Sequence, residues 1–552
     1  MNSFILKQRL KCSRLRAQGE PMTRRVFLKA MAATALAAGF FVQVQAQNAV
    51  PANKVFRFVP HANLAVLDPI WTTAYVTRNH GYMIYDTLFS EDAKGKIQPQ
   101  MVQSHSTSKD GKVWTFKLRS GLAFHDGKPV TSEDVAASLK RWSTRDTMGG
   151  VLFGFVDKLE TPDANTFRMV LKEPCAIVLE ALGKASSNVP FIMPARIAAT
   201  PGTEQIKEHI GSGPFIFKPD EFKPGSVAVY ERNTKYVPRS EAPSGLAGGR
   251  PVNFDRVEWV IIRDPQTQFN AIVAGEVDMI EQPSFEQYET LKKTAGVKID
   301  DFAPSGFQYI MRFNHIHPPF NNPKIRQAAM LAVGQQAFIN TQVGVPELGR
   351  LCRSIYPCSS AFADQTNPNF TGVANPAKAR ELLKEAGYNG TPIVMMRPTD
   401  LSAITKLPLV AKQQLEAAGF KVDLQQMDWA SLVARRAKKD PPNQGGWNMF
   451  FTTWSAGDID SPLTSAMLNT KGATGWFGWQ DEPRIEELKA KFARAQDASE
   501  RKKIASAIQS IVFETASYVP LGEYRNPTVL RNNVSGLLQT PGIPVMWGLA
   551  KR

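Results

Sequence analysis

Pro392-Ile-Val-Met-Met396, Val422-Asp-Leu-Gln-Gln-Met427 and Trp447-Asn-Met-Phe-Phe-Thr-Thr-Trp454 are three short strand-like runs, and the segments between them decide the fold. A long helical segment from about Ser402 to Ala418 separates the first two, and a helix from Ser431 precedes the third. Strands alternating with helices of this length predict right-handed crossovers and parallel pairing. Ligands in such sheets bind in the crevice beyond the carboxyl ends of the strands. Arg397 follows the first strand and Asp458 follows the third, so both stand where a ligand's charges would be met.

The same alternation extends outward. Val55 to Val59 and Trp114-Thr-Phe-Lys-Leu118 carry apolar residues at every second position, the pattern of half-buried strands. Thr131-Ser-Glu-Asp134 is a capping box, with Val135, Leu139 and Trp142 following at helical spacing. The Gly, Pro and Ser content between about Ser240 and Asn253 predicts a surface loop. A strand at Val257 to Ile262 leads to a helix from Gln266 to Ala274, stopped by Gly275. Phe307 to Phe313 reads as a strand, and Asn322 with Pro323 as the cap and first position of a helix. The class is α/β.

The N-terminus speaks to location. Thr23-Arg24-Arg25-Val26-Phe27-Leu28-Lys29 runs into an apolar stretch from Ala30 to Val42 that closes on Val44-Gln45-Ala46. This is the order of a twin-arginine export signal at residues 1–46, with cleavage expected after Ala46. The apolar stretch is too short to span a bilayer, and no run of 18 apolar residues follows it. The expectation is a freely diffusing periplasmic protein. Residues 47–552 are too many for one core and predict several domains.

The chain of 552 residues has a formal net charge of +16, but eight Lys and Arg against Glu20 belong to the leader, so much of that basicity is targeting. The remaining cations form no block, which argues against a nucleic-acid surface. Cys352 and Cys358 close a short loop through Pro357 and are expected to form a disulfide in an oxidising compartment, while Cys175 reads as a small buried hydrophobe.

No nucleophile elbow, zinc-binding His-Glu-x-x-His or phosphate loop occurs, and Gly211-Ser-Gly-Pro214 lacks the spacing of a dinucleotide fingerprint. His315 and His317 alone make a poor metal site. The expectation is no enzyme, no cofactor and no metal. Binding fits better, because Trp429, Trp447, Trp454, Trp476 and Trp479 cluster around Arg397 and Asp458. Rigid aromatic faces cover apolar ligand surface while a few charges fix its polarity. Trp447, at a strand start, reads as core, whereas Trp454 and Trp429 lie near strand ends.

Tyr85-Asp-Thr-Leu-Phe89 and the run from Gly111 to Val135, with Phe124-His-Asp-Gly127 inside it, resemble the signature of the peptide/nickel class, family 5, of extracellular solute-binding proteins of ABC importers. Gly211-Ser-Gly-Pro-Phe215, Glu231-Arg-Asn-Thr-Lys-Tyr236, Ala274-Gly-Glu-Val-Asp278, Pro319 to Ala328 and Asn375 to Gly387 follow in the family's order, so the resemblance covers nearly the whole exported chain. It implies a two-lobed periplasmic-binding-protein fold (type II, cluster C), with mixed sheets and an extra domain inserted in the first lobe. Transferred to this sequence, lobe 1 comprises 47–80, 205–305 and 520–552, the inserted domain 81–204, and lobe 2 306–519. The hinge crossings are expected near Ala303 to Gly306 and Val519 to Gly522.

The resemblance further implies capture of a peptide-like zwitterion between the lobes, by a monomer that delivers it to the transmembrane subunits of a permease with cytoplasmic ATPases. In dipeptide and oligopeptide binders of the family, an Asp four residues before a Pro holds the ligand ammonium. Asp458, with Pro462, keeps that spacing, and Asp460 is its neighbour. Arg397-Pro398 is similar to the pair that meets the ligand carboxylate in dipeptide binders. Trp454, Trp429 and Phe307 complete the candidate contacts. Asp126-Gly127 is turn chemistry, not a ligand contact. The alternatives are an oligosaccharide, nickel chelate, haem or glutathione on the same fold, and, further off, a twin-arginine-exported enzyme. Asp458 and Arg397 both facing the cleft would favour a zwitterion, and aromatic planes without them a sugar.

Overall fold

The computed structural model describes residues 54–552, so the expected export signal lies outside the described residues. Two mixed sheets dominate. The seven-stranded sheet runs in the order Phe215–Phe217, Val227–Arg232, Arg256–Val260, Val55–Val59, Met279–Ile280, Thr528–Arg531 and Val297–Asp300. Val55–Val59 is parallel to both of its neighbours, and the other pairs are antiparallel.

The six-stranded sheet has the order Gly349–Arg350, Tyr518–Tyr524, Phe307–Phe313, Met449–Ser455, Ile393–Pro398 and Val422–Met427. Its last three strands are the strand-like runs that flank Arg397 and precede Asp458, and they pair in parallel. Phe307–Phe313 and Tyr518–Tyr524 are buried at every residue, so neither shows the alternation of a half-exposed strand. The helix after Ile393–Pro398 starts at Leu407, later than expected, with Pro408 in its first turn. The next helix, Trp429–Arg435, starts earlier than expected because the Asp428 carboxylate accepts from the Ser431 N–H at 3.0 Å.

A four-stranded antiparallel sheet, Val102–Thr107, Val113–Leu118, Thr166–Leu171 and Val156–Asp163, packs against the helix Ser132–Ser143. The capping box forms as read, with the Thr131 N–H donating to Asp134 at 2.8 Å. The Phe124-His-Asp-Gly127 motif is a turn whose His125 ties two chain segments. Its Nδ1 accepts from the Gly211 N–H at 3.3 Å, and its Nε2 lies 3.2 Å from the Gly213 carbonyl. A side chain at Gly211 would collide with the Ile84 carbonyl, which explains glycine there.

Two expectations are corrected. The stretch expected as a surface loop is solvent-facing only at its two ends, and Gly245 to Arg250 between them are buried. Arg250 ion-pairs with Asp86 at 2.9 Å and lies over the Trp547 ring at 4.7 Å, so an irregular backbone is pinned into the interior. The chain passes from the seven- to the six-stranded sheet between Asp300 and Phe307 and returns between Tyr524 and Thr528. The return lies beyond the expected Val519 to Gly522, because Gly522 belongs to a β-bulge inside a continuous strand. Gln308 pairs with Glu523 and Ile310 with Pro520, leaving Leu521 and Gly522 opposite Tyr309.

Candidate functional site

The segment leading into the helix Tyr75–Ile84 faces the carboxyl end of Met449–Ser455, and a narrow cavity of about 30 Å³, about 490 Å³ when space open to solvent is counted, lies between them. His61, Thr73 and Gln282 line one side, and Trp429, Thr452 and Trp454 the other. Trp454 stands edge-on to Tyr75, with ring centroids 6.2 Å apart. The wall contains one charged side chain that the sequence reading missed, Arg436.

Arg436 follows the helix Trp429–Arg435, and its N–H caps that helix on the Leu432 carbonyl at 2.8 Å. Trp429, Leu432 and Arg436 are spaced i, i+3, i+7, one helical face, and all three are buried. Trp447, read as core, holds the turn by donating its indole N–H to the Arg436 carbonyl at 3.1 Å. The guanidinium is 4.8 Å from the Phe477 ring and 5.7 Å from that of Trp429. Its Nε and Nη2 are buried without a hydrogen-bond partner. Burial pulls its pKa down to about 9. The adjacent Arg435 is spent locally on the Gly445 and Gly446 carbonyls.

Asp458 has the opposite environment. It is fully buried, and the Ser187 N–H donates to Oδ1 at 2.7 Å. Oδ2 accepts from the Ser455 hydroxyl at 2.8 Å, the Ser186 hydroxyl at 3.1 Å and the Tyr75 hydroxyl. Arg78 is 3.9 Å away and itself donates to Ser186. The carboxylate expected to meet an ammonium is thus already surrounded by donors from Tyr75 and from the Ser186-Ser187 turn. Arg397 donates to the Thr405 carbonyl at 3.0 Å and to Gln426 Oε1 at 2.6 Å, and it is not in the cavity wall.

Of the remaining candidates, Trp454 and Trp429 line the cavity together. Phe307 packs on Tyr524 at 5.4 Å within the sheet. Asp460 is exposed and borders a separate recess with Glu91. Cys352 and Cys358 are disulfide-bonded, with Cα atoms 5.8 Å apart, and Cys175 is buried and free. Arg436 was legible in principle, since it shares the helical face of Trp429, but nothing in the sequence says that it lacks a carboxylate partner.

A second cleft, of about 2080 Å³ including space open to solvent, adjoins the first. Thr73 belongs to both walls, and Trp454 of the first packs on Trp476 of the second at 5.4 Å.

Two sheet-centred halves with a cavity between them define a two-lobed binding protein. Residues 96–476 match the model of bacterial extracellular solute-binding proteins, family 5, middle region. The chain is 36% identical over 533 residues to the Probable peptide ABC transporter periplasmic-binding protein y4tO of Sinorhizobium fredii (strain NBRC 101917 / NGR234), covering 96% of this chain and 99% of that protein. It is 26% identical over 491 residues to the glutathione-binding protein GsiB of Escherichia coli (strain K12), covering 87% and 91%. The structure of the binding protein AgaA in complex with agropinic acid, from A. tumefacien R10, superposes with a TM-score of 0.74 at 25% identity, covering 90% of this chain and 99% of AgaA. The chain belongs to the family 5 bacterial extracellular solute-binding proteins. Among the described residues no helix is long and apolar enough to cross a membrane.

Proposed function

We propose that this chain is the periplasmic solute-binding component of an ABC importer, that it captures a peptide-like ligand between its lobes, and that it hands the ligand to a membrane permease without chemical change. One observation carries the ligand reading: the buried, unpartnered guanidinium of Arg436 in the wall of the cavity. A buried cation with free donors is costly until an anion answers it, and a carboxylate fits its planar fork. Trp429, Trp454 and Tyr75 would cover the apolar parts of the ligand. The ammonium, if present, would be met elsewhere than at Asp458, which instead ties Tyr75 to the strand end of the second lobe.

The reading includes export as a monomer through the twin-arginine signal, cleavage after Ala46, and partnership with permease subunits and their ATPases. It also includes a division into lobe 1 (47–80, 205–305 and the chain after the return crossing between Tyr524 and Thr528), inserted domain (81–204) and lobe 2 (306 up to that crossing). A second reading is favoured by the aromatic walls, since neither Asp458 nor Arg397 lines the cavity. A sugar ring would also stack there, but Arg436 then requires that it carry an acidic group.

Thermal unfolding against di- to pentapeptides tests this, because a ligand of the folded state at 100 times its Kd adds about 2.7 kcal/mol. Peptides with a free C-terminus should raise the melting temperature, and C-terminal amides should not. Equal shifts with acids and amides would remove Arg436 as carboxylate receptor, and a response to sugar acids alone would replace the peptide reading.

A further inference from the structure

The second cleft differs from the first in charge. Arg145, Lys439 and Lys471 stand in its wall, and none of them makes an ion pair among the described residues. Arg145 lies over the Trp71 ring at 5.4 Å, and Lys439 over the Trp479 ring at 5.7 Å. Their hydrogen bonds go to the neutral carbonyls of Trp71 and Ala473. Aromatic faces hold these cations in place without neutralising them.

The one acid of the same wall among the described residues is already engaged. Asp146 is buried against Lys184 and caps the helix Thr147–Phe155, so it offers no balancing charge. Lys489, also buried in this wall, pairs with Glu486 at 2.8 Å. A second observation, independent of charge, points to an occupant. The Ser187 hydroxyl is buried at 3% exposure, lines the cleft and has no partner, although its own N–H is fixed on Asp458. A hydroxyl held in that way is a ready donor for an oxygen acceptor.

We propose that this cleft is a second anion subsite, so that the substrates are peptide-like acids carrying a carboxylate beyond the one held by Arg436. The inference rests on the reading given under Proposed function and deepens it. Arg436 takes one carboxylate in the first cavity. The ligand then passes the Trp454 and Trp476 pair, and its second carboxylate meets Arg145, Lys439 and Lys471 with the Ser187 hydroxyl. Water remains at this wider end, so the subsite selects for charge and tolerates differences in length.

The test is calorimetric titration of the exported chain with alanine di- and tripeptides carrying one Glu or one Gln at each position. For at least one position the Glu peptide should bind ten-fold or more tighter than its Gln partner, and the preference should shrink as salt rises. In the Lys439→Ala/Lys471→Ala double variant the Glu-to-Gln ratio should move towards one, with an unchanged melting temperature certifying the fold. Equal affinities at every position, or a ratio that survives in the double variant, would overturn the subsite while leaving the peptide reading in place. No binding by any of these peptides to a folded wild-type chain would overturn the peptide reading, and the subsite with it.

Discussion

Asp458 and Arg436 are both buried charges near the junction of the two lobes, and they differ in what answers them. Asp458 receives one backbone N–H and three hydroxyls and has Arg78 beside it. Arg436 has aromatic rings around its guanidinium and two nitrogens with no partner. A buried charge answered from within the chain fixes geometry, whereas one left unanswered lowers stability and persists where something outside the chain completes it. On the proposed reading, the negative charge of this pair belongs to the scaffold and the positive charge to the ligand.

The largest expected effect breaks the first half of that comparison. Asp458→Ala leaves the Tyr75, Ser186 and Ser455 hydroxyls and the Ser187 N–H without this acceptor and Arg78 without its counter-charge, and loss of one partner from a buried charge network costs about 3–5 kcal/mol. Denaturant unfolding without ligand measures it. A loss below about 1 kcal/mol would mean that the carboxylate is not part of the scaffold.

Arg436→Met should do the reverse. Affinity for free-acid peptides falls by about 2 kcal/mol or more, roughly thirty-fold, as expected when one side of a buried charge pair is truncated. The unfolding midpoint stays level or rises, because an unpartnered buried cation is replaced by a side chain of similar length. Titration and melting of one sample give both readouts, and lowered stability with intact affinity would invert the assignment.

This asymmetry also explains how far the sequence could be read. The strands around Arg397 and Asp458, the capping box at Thr131 and the caps at Asn322 and Gly275 follow from local pattern, and they stand where expected. Gly522 was read as a crossing and is a bulge, since a glycine in a strand signals close approach without naming the neighbour, here Ile339. The strand-end rule brought Asp458 to the right place in the fold. It could not foresee that Tyr75, far away in sequence, would occupy the carboxylate. Arg436 was hidden for the same reason, because an unpaired charge is a statement about absent long-range partners.

Tyr75→Phe sharpens the comparison on a smaller scale. The Tyr75 hydroxyl donates to Asp458 and accepts from the Ser455 N–H at 2.6 Å, so its loss strips one donor from the carboxylate and one acceptor from a buried amide. The ring contacts with Trp454 and Arg78 remain. A cost of about 1–3 kcal/mol in unfolding is expected, less than for Asp458→Ala. A double-mutant cycle with Asp458→Asn should show coupling above about 0.5 kcal/mol, and simple additivity would separate the tyrosine from the network.

The smallest effect comes from a charge whose neighbours are also acids. Glu91 borders the recess that Asp460 shares, and burial, with Asp460 and Asp92 nearby, pushes its carboxyl up to about 7. The folded chain therefore holds a proton that the unfolded chain has already released near pH 4.5. Stability from this site is complete below that value and is lost as pH rises to about 7, the opposite sense to a carboxylate in an ion pair. Glu91→Gln removes the penalty and should raise stability at pH 8 by about 1 kcal/mol once solvent screening is allowed for. At pH 4 the two proteins should melt together, since the carboxyl is then neutral in both states. A gain that persists at pH 4 would assign the effect to packing, whereas a gain confined to high pH marks Glu91 as a third kind of charge here, answered neither by the scaffold nor by a ligand.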